Sequence, residues 1–395
     1  MPLRTLLLQP DRKPLRRFFA CVPEAHILYV VPPACCRCRW FEHEIFDGPG
    51  RISFLYLDDT DIALGNFTLQ IAQALQRILP RLGSRPKALQ ICFTCAFEVL
   101  GVDYSTMVEE LEDEFPGIRF YTFPIHHLTT HDAIRPPEHR ELSLYQALRD
   151  PLPTDPTAVN VVDFTISTSS QNELLTALRD CGITTLRQPV LMSTYEEFCQ
   201  VTASCLNLRI GRCGVPACEF LERTFGIPTL HAPETYSPLR IQDSVTRVYE
   251  HFGRQPRSMT AQVDAAMEQG RRVAALFDGR PLGILEANTI DSVDLALSLQ
   301  EMGFNVELVN CIQPTAYQLQ LFDQLREQSP TVRMVDTHEQ SGIQVAPETV
   351  LMGSPLAAIE GGSLFFRARS HGDDYGLART EHLLRDLESF ARREL

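Results

Sequence analysis

Short apolar runs alternate with amphipathic stretches along nearly the whole chain, and this alternation predicts α/β domains with largely parallel sheets. In the first third, His26–Val31, Ile52–Leu57, Ala88–Phe93 and Ile118–Phe123 read as strands. Asn66–Ile78 reads as a helix with Ile71, Ala74, Leu75 and Ile78 on one face, and Thr106–Phe115 as a second helix opened by a capping box at Thr106-x-x-Glu109. The proline-rich stretch Arg135–Thr157 reads as a linker flanking one helix, with a boundary near residue 157. The pattern restarts with a strand at Ala158–Phe164 and a helix at Asn172–Arg179, stopped by Gly182. Helices at Thr194–Cys205 and Val215–Phe225 follow, the second ending at Gly226-Ile227-Pro228. The last third predicts a helix at Met259–Gln269, a strand at Arg272–Phe277, a helix at Ile290–Met302 stopped by Gly303, and a strand at Asn305–Val309. Strands at Val332–Val335 and Val350–Met352 precede a closing helix, Thr380–Arg392, with Leu383, Leu384, Leu387 and Phe390 on its apolar side. What recurs is the βα unit, in about three sets.

Charge and length narrow the function. The 395 residues carry 36 Lys+Arg against 50 Asp+Glu, a formal charge of −14, which argues against a phosphate-neutralising surface and nucleic acid as the main partner. No apolar run approaches the roughly 20 residues that span a bilayer; the longest, Ile27 to Pro33, is strand-sized. Arg16-Arg17-Phe18-Phe19 has the look of a twin-arginine export signal, but Cys21-Val22-Pro23-Glu24 interrupts the apolar region that should follow. A cytoplasmic chain is expected, without a membrane partner. In a reducing compartment its 12 cysteines point to metal binding, redox chemistry or burial rather than disulfides.

Half of those cysteines fall between residues 21 and 95: Cys21, Cys35, Cys36, Cys38, Cys92 and Cys95. Cys35 lies just past the strand ending at Val31, and Cys95 just past the strand ending at Phe93. The carboxyl ends of parallel strands form the binding crevice of an open sheet, so two thiols from separate βα loops can converge there, and the loop carrying Cys21 can approach the same edge. Three thiolates do not close a tetrahedral metal site or a four-cysteine cluster. The missing ligands would come from a partner chain, from Cys36 or Cys38, or from water. On residues alone, a metal or iron–sulfur site, buried inert thiols and a redox dithiol at Cys92-x-x-Cys95 all stay open.

At these residues the chain resembles the nitrogenase component 1 superfamily. Cys21-Val22-Pro23-Glu24-Ala25 is similar to the turn after that family's first cluster cysteine, and Val31-Pro32-Pro33-Ala34-Cys35 to the Gly-Pro-x-Gly-Cys element of its second, with both glycines replaced. Asp59-Thr60-Asp61-Ile62-Ala63-Leu64-Gly65 resembles the acidic element that follows. Cys95-Ala96-Phe97-Glu98-Val99-Leu100-Gly101-Val102-Asp103 is similar to the stretch opened by its third cysteine, the most specific match. Weaker likeness continues through Leu206-Asn207-Leu208, Gly226-Ile227-Pro228 and residues 272–309.

The resemblance implies three Rossmann-like domains, over 1–157, 158–255 and 256–395, the last with the C-terminal helix. It implies an oxidoreductase subunit in which Cys21, Cys35 and Cys95 supply thiolates to an [8Fe–7S] or [4Fe–4S] cluster shared with a homologous second subunit. In such a heterotetramer, electrons come from an ATP-dependent iron–sulfur reductase and go on to a substrate, a second metal cofactor or a tetrapyrrole. The family's cofactor cysteine falls near Gly211, two residues from Cys213, and His371 in Ser370-His371-Gly372 resembles the segment with its cofactor histidine. These departures point to a nitrogenase-like protein of other purpose than dinitrogen reduction. A cofactor-assembly scaffold and a catalytically silent partner subunit are the alternatives.

Blander readings apply elsewhere. Cys181, Cys199, Cys205, Cys218 and Cys311 read as small hydrophobes, and Cys92 as a core residue of its strand. Cys213 stands in a loop before a helix, a setting that favours a reactive thiol. His126 and His127 read as polar loop residues. Asp58, Asp59 and Asp61 read as a solvated loop with Asp61 near a helix start rather than a carboxylate cluster. Gly279-x-x-x-Gly283 lacks the dinucleotide spacing, and there is no Walker A sequence, so ATP hydrolysis is not expected of this chain.

Overall fold

The structure, a computed structural model, describes residues 22–32, 52–94, 97, 99–124, 136–163, 172–285, 291–312, 314–336, 340–353, 359–361, 364–366 and 375–395. Along the chain, β1 (Ala25–Val31) and β2 (Ile52–Tyr56) are followed by α1 (Asp59–Leu64), α2 (Phe67–Ile78), β3 (Ala88–Phe93), α3 (Tyr104–Glu114), β4 (Arg119–Pro124) and α4 (Pro136–Tyr145). Next come β5 (Asp155–Val162), α5 (Glu173–Asp180), β6 (Thr185–Arg187), α6 (Tyr195–Cys199), β7 (Ser204–Arg209), α7 (Val215–Phe225) and β8 (Thr229–His231). Then α8 (Pro238–His251) and α9 (Thr260–Ala275) lead to β9 (Pro281–Ile284), α10 (Ser292–Glu301), β10 (Asn305–Asn310), α11 (Ala316–Gln328) and β11 (Arg333–Val335). The short strands β12 (Ile343–Gln344), β13 (Val350–Met352), β14 (Ile359–Glu360) and β15 (Leu364–Phe366) precede the last helix, α12 (Leu377–Glu394).

Two compact units result, one of residues 1–165 with 185–229, the other of 166–184 with 230–395. In the first unit, one sheet has the strand order β2-β1-β3-β4 and another β6-β5-β7-β8; the second unit has β11-β10-β9-β13-β15 and the small pair β12-β14. The ladders through β1, β3, β5, β9, β10 and β13 run parallel. This is the α/β class with parallel sheets that the alternating pattern predicts. Each large sheet reverses its order once, between β1 and β3, between β5 and β7, and between β9 and β13. At such a reversal the carboxyl ends of two neighbouring strands open into a crevice.

The first sheet shows why these residues become inner strands. All six residues of β3 are buried. Leu89, Ile91 and Phe93 enter one core with Leu28 and Val30 of β1, Ile71 and Leu75 of α2, and Met107 and Leu111 of α3. Cys92 enters the opposite core with Ile27, Tyr29 and Phe123. Burying each large apolar side chain contributes about 1.5–3 kcal/mol. A third core spans both sheets of this unit, from Ala25, Ala88 and Tyr121 through Tyr145 and Leu148 to Val162, Phe198 and Leu221.

Three local expectations are corrected. The segment Arg272–Phe277 is not a strand: α9 continues to Ala275, with Val263, Ala266, Met267, Gly270, Val273 and Ala274 buried along one face. Helix α3 begins two residues before Thr106, because Asp103, not Thr106, is its cap; the Asp103 carboxylate accepts from the backbone N–H of Ser105 and Thr106 and from the Thr106 hydroxyl at 2.8 Å. The stretch Thr194–Cys205 is not one helix. A capping box at Thr194 and Glu197 opens α6, which ends at Cys199, and the chain turns into β7 at Ser204.

Candidate functional site

The two reversal points of the first unit lie where the sequence puts its candidate chemistry. At the first, Val30 is in register with Phe93, so β1 and β3 finish side by side, and their described runs end at Pro32 and Thr94. Cys21, Cys35, Cys36, Cys38 and Cys95 lie outside the described residues, as do His126, His127 and His371. Their described neighbours can be placed. Val22, bonded to Cys21, is buried against Ala25 and Ala88 at the amino-terminal edge of the sheet. Thr94, bonded to Cys95, is at the carboxyl edge. Thr94 is buried to 4% exposure, its carbonyl accepts from Phe97 N–H at 3.2 Å, and its hydroxyl has no hydrogen-bond partner among the described residues.

The second reversal point is described on both sides, and Cys213 sits in it. After β5, Asp163 adopts a left-handed conformation with φ of 56°, a backbone state that costs a non-glycine residue on the order of 1 kcal/mol. Its N–H donates to the Glu141 carboxylate of α4 at 3.1 Å, and its own Oδ2 accepts from Cys213 N–H at 2.5 Å. After β7, Ile210 N–H donates to the Val162 carbonyl at 3.3 Å, and the chain passes through Gly211-Arg212-Cys213-Gly214 into α7. A Cβ on Gly211 would collide with the carbonyl and carboxylate of Asp163, and one on Gly214 would lie 3.1 Å from the Asp163 Cβ. Both glycines are therefore packing requirements: Asp163 is seated in the loop, and the loop is held against the end of β5.

Cys213 is half-buried, one residue before Gly214, the cap position of α7, whose first turn has no side-chain cap. Behind it, Tyr145 of α4 is fully buried. Burial, and then the neighbouring Glu141 charge, hold its phenol well above the ordinary range. Burial also pushes the Cys218 thiol up to about 12, so Cys218 is a protonated core group. Chemically, the site presents one half-buried cysteine on a loop fixed by a carboxylate, backed by groups that stay neutral.

The remaining described cysteines carry no such setting. Cys92 and Cys311 are buried, and Cys181, Cys199 and Cys205 are half-buried with thiols raised chiefly by burial. The Asp58–Asp61 carboxylates are a helix start: Asp58 caps α1, and Asp61 completes its capping box. Among the described residues, no group of three or more His, Cys, Asp or Glu side chains is arranged to hold a metal ion. No helix of the described residues is long and apolar enough to cross a membrane. Sequence reading missed Asp163, Glu141 and Thr94. The Gly-x-x-Gly spacing around Cys213 and a hydroxyl residue immediately before Cys95 were the available signals.

The sequence matches the family model for nitrogenase component 1 type oxidoreductases over residues 16–355. Among solved structures, the fold is similar to "Nitrogenase Cp1 at pH 6.5", with a TM-score of 0.69, 13% identity, and coverage of 97% of this chain and 93% of that one. "Nitrogenase Cp1 at pH 5" matches with a TM-score of 0.47 and 12% identity, over 79% of this chain and 70% of the other. At 13% identity the first of these is a likeness of fold. No curated protein matches the sequence.

Proposed function

Because the chain belongs to the nitrogenase component 1 type oxidoreductase family, we propose that it is one subunit of a cytoplasmic, heteromeric nitrogenase-like reductase with an iron–sulfur cluster at its subunit interface. Cys35 and Cys95 would supply thiolates from this chain and a homologous second subunit the rest; Cys21, which the resemblance adds to them, is bonded to Val22 at the opposite, amino-terminal edge of the sheet and is left out of the set. When bound, the cluster supplies one-electron relay from an ATP-dependent iron–sulfur reductase toward the substrate. Cys213 and His371 would face a second metal cofactor or a tetrapyrrole. The three-domain division, at 157 and 255, is part of the same proposal and is supported by the three large parallel sheets.

One observation carries the reading. Adjacent parallel strands β1 and β3 end together at a reversal point, and the described chain leaves them three residues before Cys35 and one residue before Cys95. The donor chemistry fits an iron–sulfur group: thiolates are its ordinary ligands, and a buried hydroxyl without a partner among the described residues lies at this edge. In such a site the thiolates bind the group, the third core behind the sheet excludes water, and the loop held by Asp163 fixes Cys213 at the neighbouring crevice.

The test is iron and acid-labile sulfide per chain after anaerobic purification with the co-expressed second subunit, comparing wild type with Cys95→Ala. Stoichiometric iron and sulfide in wild type, lost in the variant, are expected. Iron-free but folded wild type in complex with that subunit would falsify the cluster. Loss of the cluster to an acceptor protein in place of reductant consumption would make the chain a scaffold.

A further inference from the structure

We infer that the Thr94 hydroxyl is a donor to sulfur at the proposed cluster, and so a residue that tunes its potential; this rests on the function proposed above. Buried polar groups are nearly always hydrogen-bonded, and each exception calls for an explanation. Thr94 is such an exception: it is 4% exposed and its Oγ1 has no hydrogen-bond partner among the described residues. The backbone there accounts for itself, since the Thr94 carbonyl already accepts from Phe97 N–H. Valine has the same branched shape and would fill the space without an unpaired hydroxyl. Its strand neighbours Cys92 and Phe93 are buried apolar residues of β3, so nothing in the packing asks for a polar atom.

Position supplies the missing acceptor. Thr94 follows the carboxyl end of β3 at the reversal between β1 and β3, and its next residue is Cys95. A cluster thiolate or bridging sulfide is an acceptor that none of the described residues provides. A hydrogen bond to it stabilises the more negative, reduced state and raises the reduction potential.

The experiment uses the anaerobically purified complex with its second subunit and compares wild type, Thr94→Val and Thr94→Ser. The readouts are iron and sulfide content, midpoint potential by redox titration, and thermal melting of the iron-free chain. Thr94→Val is expected to keep its iron and sulfide and to shift the midpoint to a more negative potential, and Thr94→Ser to restore the wild-type value. Iron-free Thr94→Val is expected to melt at or above the wild-type temperature, because no bond to a described residue is lost. Equal midpoints in all three proteins, with iron present, would overturn the role of Thr94 and leave the cluster standing. A lower melting temperature for iron-free Thr94→Val would overturn it too, by showing a partner inside the protein. An iron-free wild-type complex would remove the cluster and this inference together.

Discussion

At Gly211, Gly270 and Asn160, single side chains, or their absence, set the local geometry. Gly211→Ala puts a Cβ onto Asp163 and should lower stability by about 1–3 kcal/mol, the range for forced overpacking. It should also speed reaction of Cys213 with a thiol reagent, because the loop must leave the end of β5. An unchanged urea midpoint and unchanged thiol reactivity would show that the Asp163 lock is unimportant. Asn160 carries a different load. Fully buried in β5 and in register with Asn207, it donates to Val201 O and Asn207 Oδ1 and accepts from Ser204, which in turn accepts from Arg187. Asn160→Leu should destabilise the first unit by about 1–3 kcal/mol for each buried polar group left unpaired. Chemical denaturation checks it, and a loss below about 1 kcal/mol would mean that the network relaxes. Gly270 explains a misreading. The sequence pattern ends the helix at Gln269, yet a Cβ on Gly270 would lie 2.7 Å from the Met302 side chain, so the glycine permits a close approach within a continuing helix. That contact joins residues 32 apart, and nothing local signals it.

At the scale of elements, α12 shows what a helix end needs from elsewhere. Gly376 precedes it with φ of 91°, and the Glu173 carboxylate of α5 accepts from Leu377 N–H at 3.2 Å. A carboxylate at a helix N-terminus is favoured by the helix dipole. Glu173 is nonetheless held above its ordinary 4.5, because burial outweighs the hydrogen bonds. A carboxyl raised on folding binds more protons in the native state, so its ionisation removes stability as pH rises from the unfolded to the folded value. Glu173→Gln keeps an acceptor for Leu377 without the charge. It should match wild type below about pH 4.5 and exceed it in stability at neutral pH. Thermal melts across pH decide this, and a less stable variant at pH 7 would show that the dipole term dominates. The apolar face of α12 was legible in sequence, since Leu383, Leu384, Leu387 and Phe390 recur at helical spacing and are all buried. Its cap was not, because Glu173 lies 204 residues away.

For the whole molecule, the sheet edges decide which cysteines can act together. Val22 enters β1 at the amino-terminal edge, whereas Pro32 and Thr94 leave at the carboxyl edge. Seven residues at about 3.3 Å each separate those edges by roughly 20 Å. Cys21→Ala is therefore the informative variant beside Cys35→Ala and Cys95→Ala. That span exceeds one cluster, so Cys35→Ala and Cys95→Ala are expected to lose iron and sulfide and Cys21→Ala to keep them; loss in all three would return Cys21 to the set. Taken by itself, the sequence determined the α/β class, most strands and helices, and the places in the chain where cysteines follow strand ends. Periodicity, caps and strand-end spacing act over a few residues and are written locally. Only the tertiary structure decided that β1 pairs with β3 and β5 with β7. It also decided that Asp163 fills the space left by two glycines, and that the Thr94 hydroxyl is buried without a partner among the described residues. Those outcomes depend on strand order and on contacts between residues tens of positions apart, where no local pattern records which groups will meet.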